Sequence, residues 1–164
     1  MTSPLLPPDG VASIAAHIAA HGSVGMETGG FLLVRRSEPG AVATVAHAGS
    51  VGILRHPRQF VISAGAVEAL SEWADTHGER IFSQFHSHGG RAFLSPIDRA
   101  GGIRVAGFVT TVVPDFARPQ PDPTLWGWWT FANGDWQSRP PLPVGASATA
   151  SRIIVFDEAG VHGQ

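Results

Sequence analysis

Residues 81–98 read IFSQFHSHGGRAFLSPID, and three kinds of local structure follow one another within them. Ile81–His86 is a compact apolar run that predicts a strand running on into His88. Residues 89–94 predict a glycine-containing loop. Ser95-Pro96-Ile97-Asp98 predicts a helix start, with Ser at N-cap, Pro at N1 and Asp at N3. Residues two apart on a strand point the same way and sit roughly 6.5 Å apart, so His86 and His88 turn two imidazoles to one side. Two neutral imidazole nitrogens can converge on one ion, and a carboxylate can complete a three-ligand set that leaves a fourth position for water. Asp98, ten positions beyond His88 across the loop, is the best candidate for that carboxylate. The same Ser-x-x-Asp string is also what a helix N-terminus produces by itself.

Outward from this stretch, the rest of the chain predicts a single α/β (α+β) domain around a mixed sheet. Val11, Ile14, Ala15 and Ile18 recur at helical spacing after Asp9, a candidate cap, and the pattern stops at His21-Gly22. Phe31–Val34 and Ala41–His47 predict two strands hairpin-paired through the Glu38-Pro39-Gly40 turn. Residues 48–59 read as a loop, and Phe60–Ile62 as a short strand. Ser63 can cap a second helix, Ala64–His77, which Gly78 ends. Val105–Val113 is the strongest strand signal, and Leu125–Phe131 reads as an aromatic strand turned at Asn133-Gly134. The expected core spans about residues 10–136. Residues 137–164 predict an irregular C-terminal segment with one edge strand at Ile153–Phe156.

Composition narrows the chemistry. The 164 residues are 43% hydrophobic and 15% charged, a folding composition of single-domain length. With no cysteine there is no disulfide framework, no thiol nucleophile and no thiolate zinc site. All 11 basic residues are arginine, which excludes Schiff-base lysine and a P-loop lysine; GC-rich coding bias is the plain reading of this usage. A net charge of −2 argues against nucleic acid as a partner. The N-terminal stretch has no basic n-region, and the apolar run Val11–Ala20 is too short to cross a membrane, so a cytoplasmic, membrane-free protein is expected.

A hydrolytic metal site also needs a proton acceptor. Glu27, in Met26-Glu27-Thr28-Gly29-Gly30, directly precedes the first predicted strand, and an acid beside glycines can approach a neighbouring strand closely. It also reads as an ordinary solvated loop acid. Glu27-Thr28-Gly29-Gly30, Phe60 ahead of a helix, His86-x-His88 and Ser95-x-x-Asp98 together resemble the JAMM/MPN metalloprotease motif, in its prokaryotic JAB-type branch. The resemblance spans about residues 10–113. It implies an MPN-like fold: a mixed central sheet flanked by two main helices, with a short helix after the metal loop. It further implies that His86, His88 and Asp98 bind Zn²⁺ and that Glu27 is the catalytic base handling the proton of the attacking water. Ser95 would donate to the developing oxyanion. Two positions depart from the family pattern: Gly89 stands where Pro is usual, and six rather than seven residues separate His88 from Ser95. A shorter or differently curved loop is expected there.

Members of this family cleave after the C-terminal Gly-Gly of ubiquitin-like proteins. The resemblance therefore implies a zinc isopeptidase acting on a ubiquitin-like protein or its conjugates. Activating-like and conjugating-like enzymes of the same pathway, antiviral defence systems included, are the implied partners. A surface that offers no lysine amine to activated ubiquitin-like tails is then the alternative reading of the all-arginine usage. Processing of a sulfur-carrier relative of ubiquitin is a second reading, and a non-catalytic MPN scaffold a third. The remaining histidines His17, His21, His47, His77 and His162 lack a partner at ligand spacing; His56, in the basic stretch Arg55–Arg58, is a candidate for a substrate groove. Trp126, Trp128 and Trp129 read as core.

Overall fold

The computed structural model describes residues 3–146 and 151–163. An eight-stranded mixed sheet runs through the molecule. In chain order its strands are β1 (Gly29–Arg35), β2 (Val42–Ala48), β5 (Glu79–Ser87), β6 (Val109–Val113), β7 (Gly127–Ala132), β8 (Asp135–Ser138), β9 (Arg152–Asp157) and β10 (Gly160–Gly163). Their spatial order is β10-β9-β2-β1-β5-β6-β7-β8. The β2–β9 and β5–β6 pairs are parallel and the others antiparallel. A separate hairpin joins β3 (Ile53–His56) to β4 (Gln59–Ile62).

Helices cover both faces, which is why β1 and β2 are buried almost throughout rather than on alternate residues. Helix α1 (Pro8–Gly22) lays Val11, Ile14 and Ile18 against Leu32, Val45 and Phe85. Helix α2 (Ala64–Thr76) lays Ala66, Leu70 and Ala74 on the opposite face, against Phe31, Leu33, Ile154 and Phe156. Phe31 and Leu33 thus serve one core and Leu32 the other, as strand alternation requires. The short helix α3 (Pro96–Gly101) follows the metal loop. This is the expected mixed sheet with two main helices and a short third one.

Several boundaries differ from expectation. Asp9 does not cap α1: Pro7 is the N-cap, and the Asp9 carboxylate accepts from the Ser151 hydroxyl at 2.6 Å in the first turn. Residues 48–59 are not all loop, because Ile53–His56 forms β3. The strand expected from Val105 begins at Val109, since Gly107 takes a φ of +89° and breaks the extended run. The aromatic strand starts at Gly127 behind a 3₁₀ turn, Pro123–Leu125, and the Asn133-Gly134 turn is present with both φ values positive.

The C-terminal segment is the largest correction. Strand β9 is not an edge strand: it lies between β2 and β10, with Phe156 fully buried. Leu6 and Leu142 are also buried, so the core extends beyond residues 10–136 at both ends. Of the expected irregular stretch, residues 147–150 lie outside the described residues.

Candidate metal centre

The site forms at one end of β1 and β5. Register places Gly29 opposite His86, so the ladder carried one step further sets Thr28 beside Ser87 and brings Glu27 towards His88. Close approach here depends on Gly29: a Cβ at that position would lie 2.1 Å from the Phe85 carbonyl oxygen and 2.8 Å from the Phe60 ring. The Ser87 N–H donates to the Thr28 carbonyl at 2.9 Å, and the Thr28 N–H donates to Ser87 Oγ at 3.0 Å. His88 lies just past the end of β5, yet its N–H continues the parallel ladder by donating to Val113 at 3.0 Å.

The imidazoles of His86 and His88 face the same side, with ring centroids 5.2 Å apart. Ligand atoms of Glu27, His86 and His88 all lie within 4.8 Å of one another, and all three residues are buried. Asp98 joins them from α3. Its Oδ2 is 3.1 Å from His88 Nε2 and its Oδ1 is 3.3 Å from His86 Nε2. The latter approach makes no hydrogen bond, so His86 Nε2 is a buried nitrogen without a partner. Nitrogen and carboxylate donors converging on a buried, unsatisfied imidazole suit a divalent ion, and the donor set is one that zinc accepts.

Burial pushes Glu27 up to about 7; the His88 charge opposes this and the Asp98 charge adds to it. Asp98 behaves oppositely. Burial works against its ionisation, but the adjacent imidazoles and the Ser95 N–H hold it well below the usual carboxylate range. For His88 burial works downward, yet Asp98 and Glu27 raise it on balance. Two carboxylates of unlike proton affinity thus share the site, one able to exchange a proton near neutrality and one remaining ionised.

Asp98 and Ser95 also form a reciprocal capping box: Asp98 Oδ2 accepts from the Ser95 N–H at 3.0 Å, and Ser95 Oγ accepts from the Asp98 N–H at 3.1 Å. Gly89 has a packing reason, because a Cβ there would meet the Phe116 ring at 3.0 Å. The loop is tied down beside it, with the Phe116 N–H donating to His88 at 3.0 Å and the Asp115 N–H to Gly90 at 2.9 Å. A pocket of about 200 Å³ opens next to His86 and Asp98, walled by Phe60, Ile62, Leu94, Ile97 and Trp136 among others.

No protein-family profile matches the sequence. A probable metalloprotease of Sinorhizobium fredii is 30% identical over 122 residues, covering 69% of this chain and 72% of that protein. This chain belongs to the JAMM/MPN metalloprotease superfamily. Solved structures share the fold. A JAB1/MPN domain protein of Archaeoglobus fulgidus matches at a TM-score of 0.50 and 16% identity, over 88% of this chain and all of that one (100%). A protein of Desulfitobacterium hafniense matches at 0.62 and 15% identity, over 92% and 91%. Among the described residues of this JAMM/MPN chain, no helix is long and apolar enough to cross a membrane.

The structure brings Glu27, His86, His88 and Asp98 together, with Ser95 at the adjoining helix cap. His17, His21 and His47, expected to stand alone, instead cluster behind β1. His17 stacks on His47 with centroids 4.4 Å apart and meets His21 edge-on at 5.0 Å. His17 and His21 stand four apart on one face of α1, a spacing the sequence does show, but no spacing rule reaches His47 on β2. His56 is exposed, and it is its carbonyl that serves the site, accepting the Glu27 N–H at 3.1 Å. Trp126 and Trp128 are core, their ring N–H groups donating to Gln120 and Pro123 carbonyls.

Proposed function

We propose that this chain is a zinc-dependent peptidase that hydrolyses the amide after the C-terminal Gly-Gly of a ubiquitin-like protein, releasing a lysine side-chain amine. The reading is carried by the convergence of buried Glu27, His86 and His88 with partly buried Asp98 beside an open pocket. His86, His88 and Asp98 hold the ion. Asp98 suits that role because it stays ionised beside both imidazoles, while Glu27, near its midpoint at neutral pH, suits proton exchange. The ion supplies Lewis-acid polarisation and lowers the pKa of a water towards about 7.

The chain's own residues do the rest. Glu27 takes a proton from the attacking water and returns it to the leaving amine, and its burial raises its proton affinity towards the range in which a carboxylate can both take and give a proton near pH 7. The Ser95 oxygen accepts from the Asp98 N–H, which leaves the hydroxyl proton free to donate to the developing oxyanion. An extended tail without side chains fits beside β4, which among the described residues pairs only with β3 and offers its other edge to a substrate strand. Activating-like and conjugating-like enzymes, in a defence pathway or elsewhere, would supply such conjugates. The filled donor set favours an enzyme over a non-catalytic scaffold, and release of a short α-linked extension instead of lysine would favour the sulfur-carrier reading.

The test is Glu27→Gln against a ubiquitin-like protein joined through Gly-Gly to a lysine. The variant should bind one zinc per chain and lose roughly 10²–10⁴-fold in rate, while chelation should abolish wild-type cleavage and added zinc restore it. A Glu27→Gln enzyme as fast as wild type sinks the proton role. A zinc-loaded wild type that cleaves other peptides but never after Gly-Gly sinks the substrate class.

A further inference from the structure

Thr28 lies next to Glu27 and is fully buried, and it is gripped from three elements. From β3, Arg55 Nε donates to Thr28 Oγ1 at 3.0 Å. From α1, His17 Nε2 lies 2.9 Å from the same oxygen. From β5, Ser87 Oγ accepts the Thr28 N–H at 3.0 Å. A threonine hydroxyl has one proton and two lone pairs, so accepting from Arg55 leaves its proton for His17, which burial and the neighbouring His47, His21 and Arg55 charges keep neutral. Arg55 is itself anchored: its two terminal nitrogens donate to the carbonyls of Gly49 and Ala48, each at 2.6 Å. The next residue, His56, accepts the Glu27 N–H.

We propose that Thr28 and Arg55 are positioning residues for Glu27, fixing its backbone so that the carboxylate meets the reacting atoms in one orientation. The proposal rests on the proton-transfer role given to Glu27 above. A guanidinium with three of its nitrogens engaged binds one geometry, which an ammonium on a flexible stem cannot copy. Misplacement of a catalytic group by about 1 Å can cost on the order of 10²-fold in rate. The hairpin of β3 and β4 thereby gains a role that its small size and exposed outer side chains do not suggest.

Thr28→Val keeps the shape and removes the shared oxygen; Thr28→Ser keeps the oxygen. With the Gly-Gly conjugate as substrate, Thr28→Val should lower kcat by roughly 10–10²-fold at unchanged KM and unchanged zinc per chain. Thr28→Ser should recover to within about threefold of wild type on the same scale. Arg55→Lys, which keeps the charge, should lose about tenfold in kcat alone, and it carries the test if Thr28→Val does not fold. Wild-type kcat in the variants overturns the proposal, as does a loss in Thr28→Ser equal to that in Thr28→Val. A second readout needs no turnover: in metal-free protein at fixed pH, the Glu27 carboxyl carbon should give one sharp NMR resonance in wild type and a broadened or split one in Thr28→Val or Arg55→Lys. If zinc-loaded wild type cleaves nothing, the peptidase reading fails, while an unchanged resonance in the variants overturns the positioning itself.

Discussion

Ser95 places two demands on one hydroxyl. Its oxygen caps α3 by accepting from the Asp98 N–H, while its proton is free for the oxyanion. The two uses separate experimentally. Ser95→Ala should cost about 1 kcal/mol of stability through the lost cap, read from a urea midpoint, and roughly 10²–10³-fold in kcat through the lost donor. A variant that loses stability but keeps wild-type kcat would leave Ser95 a helix cap and nothing more. At this scale the sequence was nearly transparent. Ser-Pro-x-Asp spells a capping box because the side chains that cap a helix act within four residues of one another. The same locality hid the role of Arg55, whose partner Thr28 lies 27 residues earlier in the chain.

The two main helices formed close to where their apolar stripes placed them, whereas the strand expected from Val105 began only at Val109 and β3 was not expected. Helix α1 carries a full apolar stripe and α2 a Ser63 cap that accepts from Ala66, and both sit close to their predicted bounds. Strand β3, with the sequence Ile-Leu-Arg-His, has neither alternation nor length, and its pairing with β4 makes it a strand. Strand β9 has a clear apolar run, but its neighbours are set by a parallel pairing with β2, more than a hundred residues earlier in the chain. That interior place has an energetic consequence. Phe156 is fully buried and packs on Phe31 with ring centroids 5.6 Å apart. Phe156→Ala should therefore cost about 3–5 kcal/mol, measured by denaturant unfolding. A loss below about 1 kcal/mol would match a peripheral strand instead of a core one.

For the molecule as a whole, the buried histidines tie stability to pH. His47 is 4% exposed between α1 and the sheet, with Nε2 2.6 Å from Ser13 Oγ, and burial lowers its pKa to about 4. His17, stacked on it, is lowered to about 2. In the unfolded chain both titrate near 6.5, so below that pH the unfolded state binds protons that the native state refuses. Their contribution is constant above pH 6.5 and turns unfavourable as pH falls towards about 4, where native His47 begins to titrate. Glu27, with its raised pKa, works in the opposite sense between about 4.5 and 7, so the slope due to His47 is best taken as a difference. Between pH 7 and pH 4.5 the wild type should lose about 2 kcal/mol more unfolding free energy than His47→Gln does. Parallel pH curves for the two proteins would contradict a neutral, buried His47.

What the sequence determined by itself was local: the helix stripes, the capping box at Ser95, two histidines on one side of a strand, and the order of motif elements that marks the superfamily. Each depends on residues a few positions apart, where helix and strand periods alone dictate direction. Tertiary structure decided the rest. It set β9 inside the sheet, made a strand of residues 53–56, gathered His17, His21 and His47 behind β1, and closed Arg55 onto Thr28 beside Glu27. The β2–β9 pairing and the Arg55–Thr28 contact join segments 27 residues or more apart, and their geometry follows from strand order and register, which no local spacing encodes.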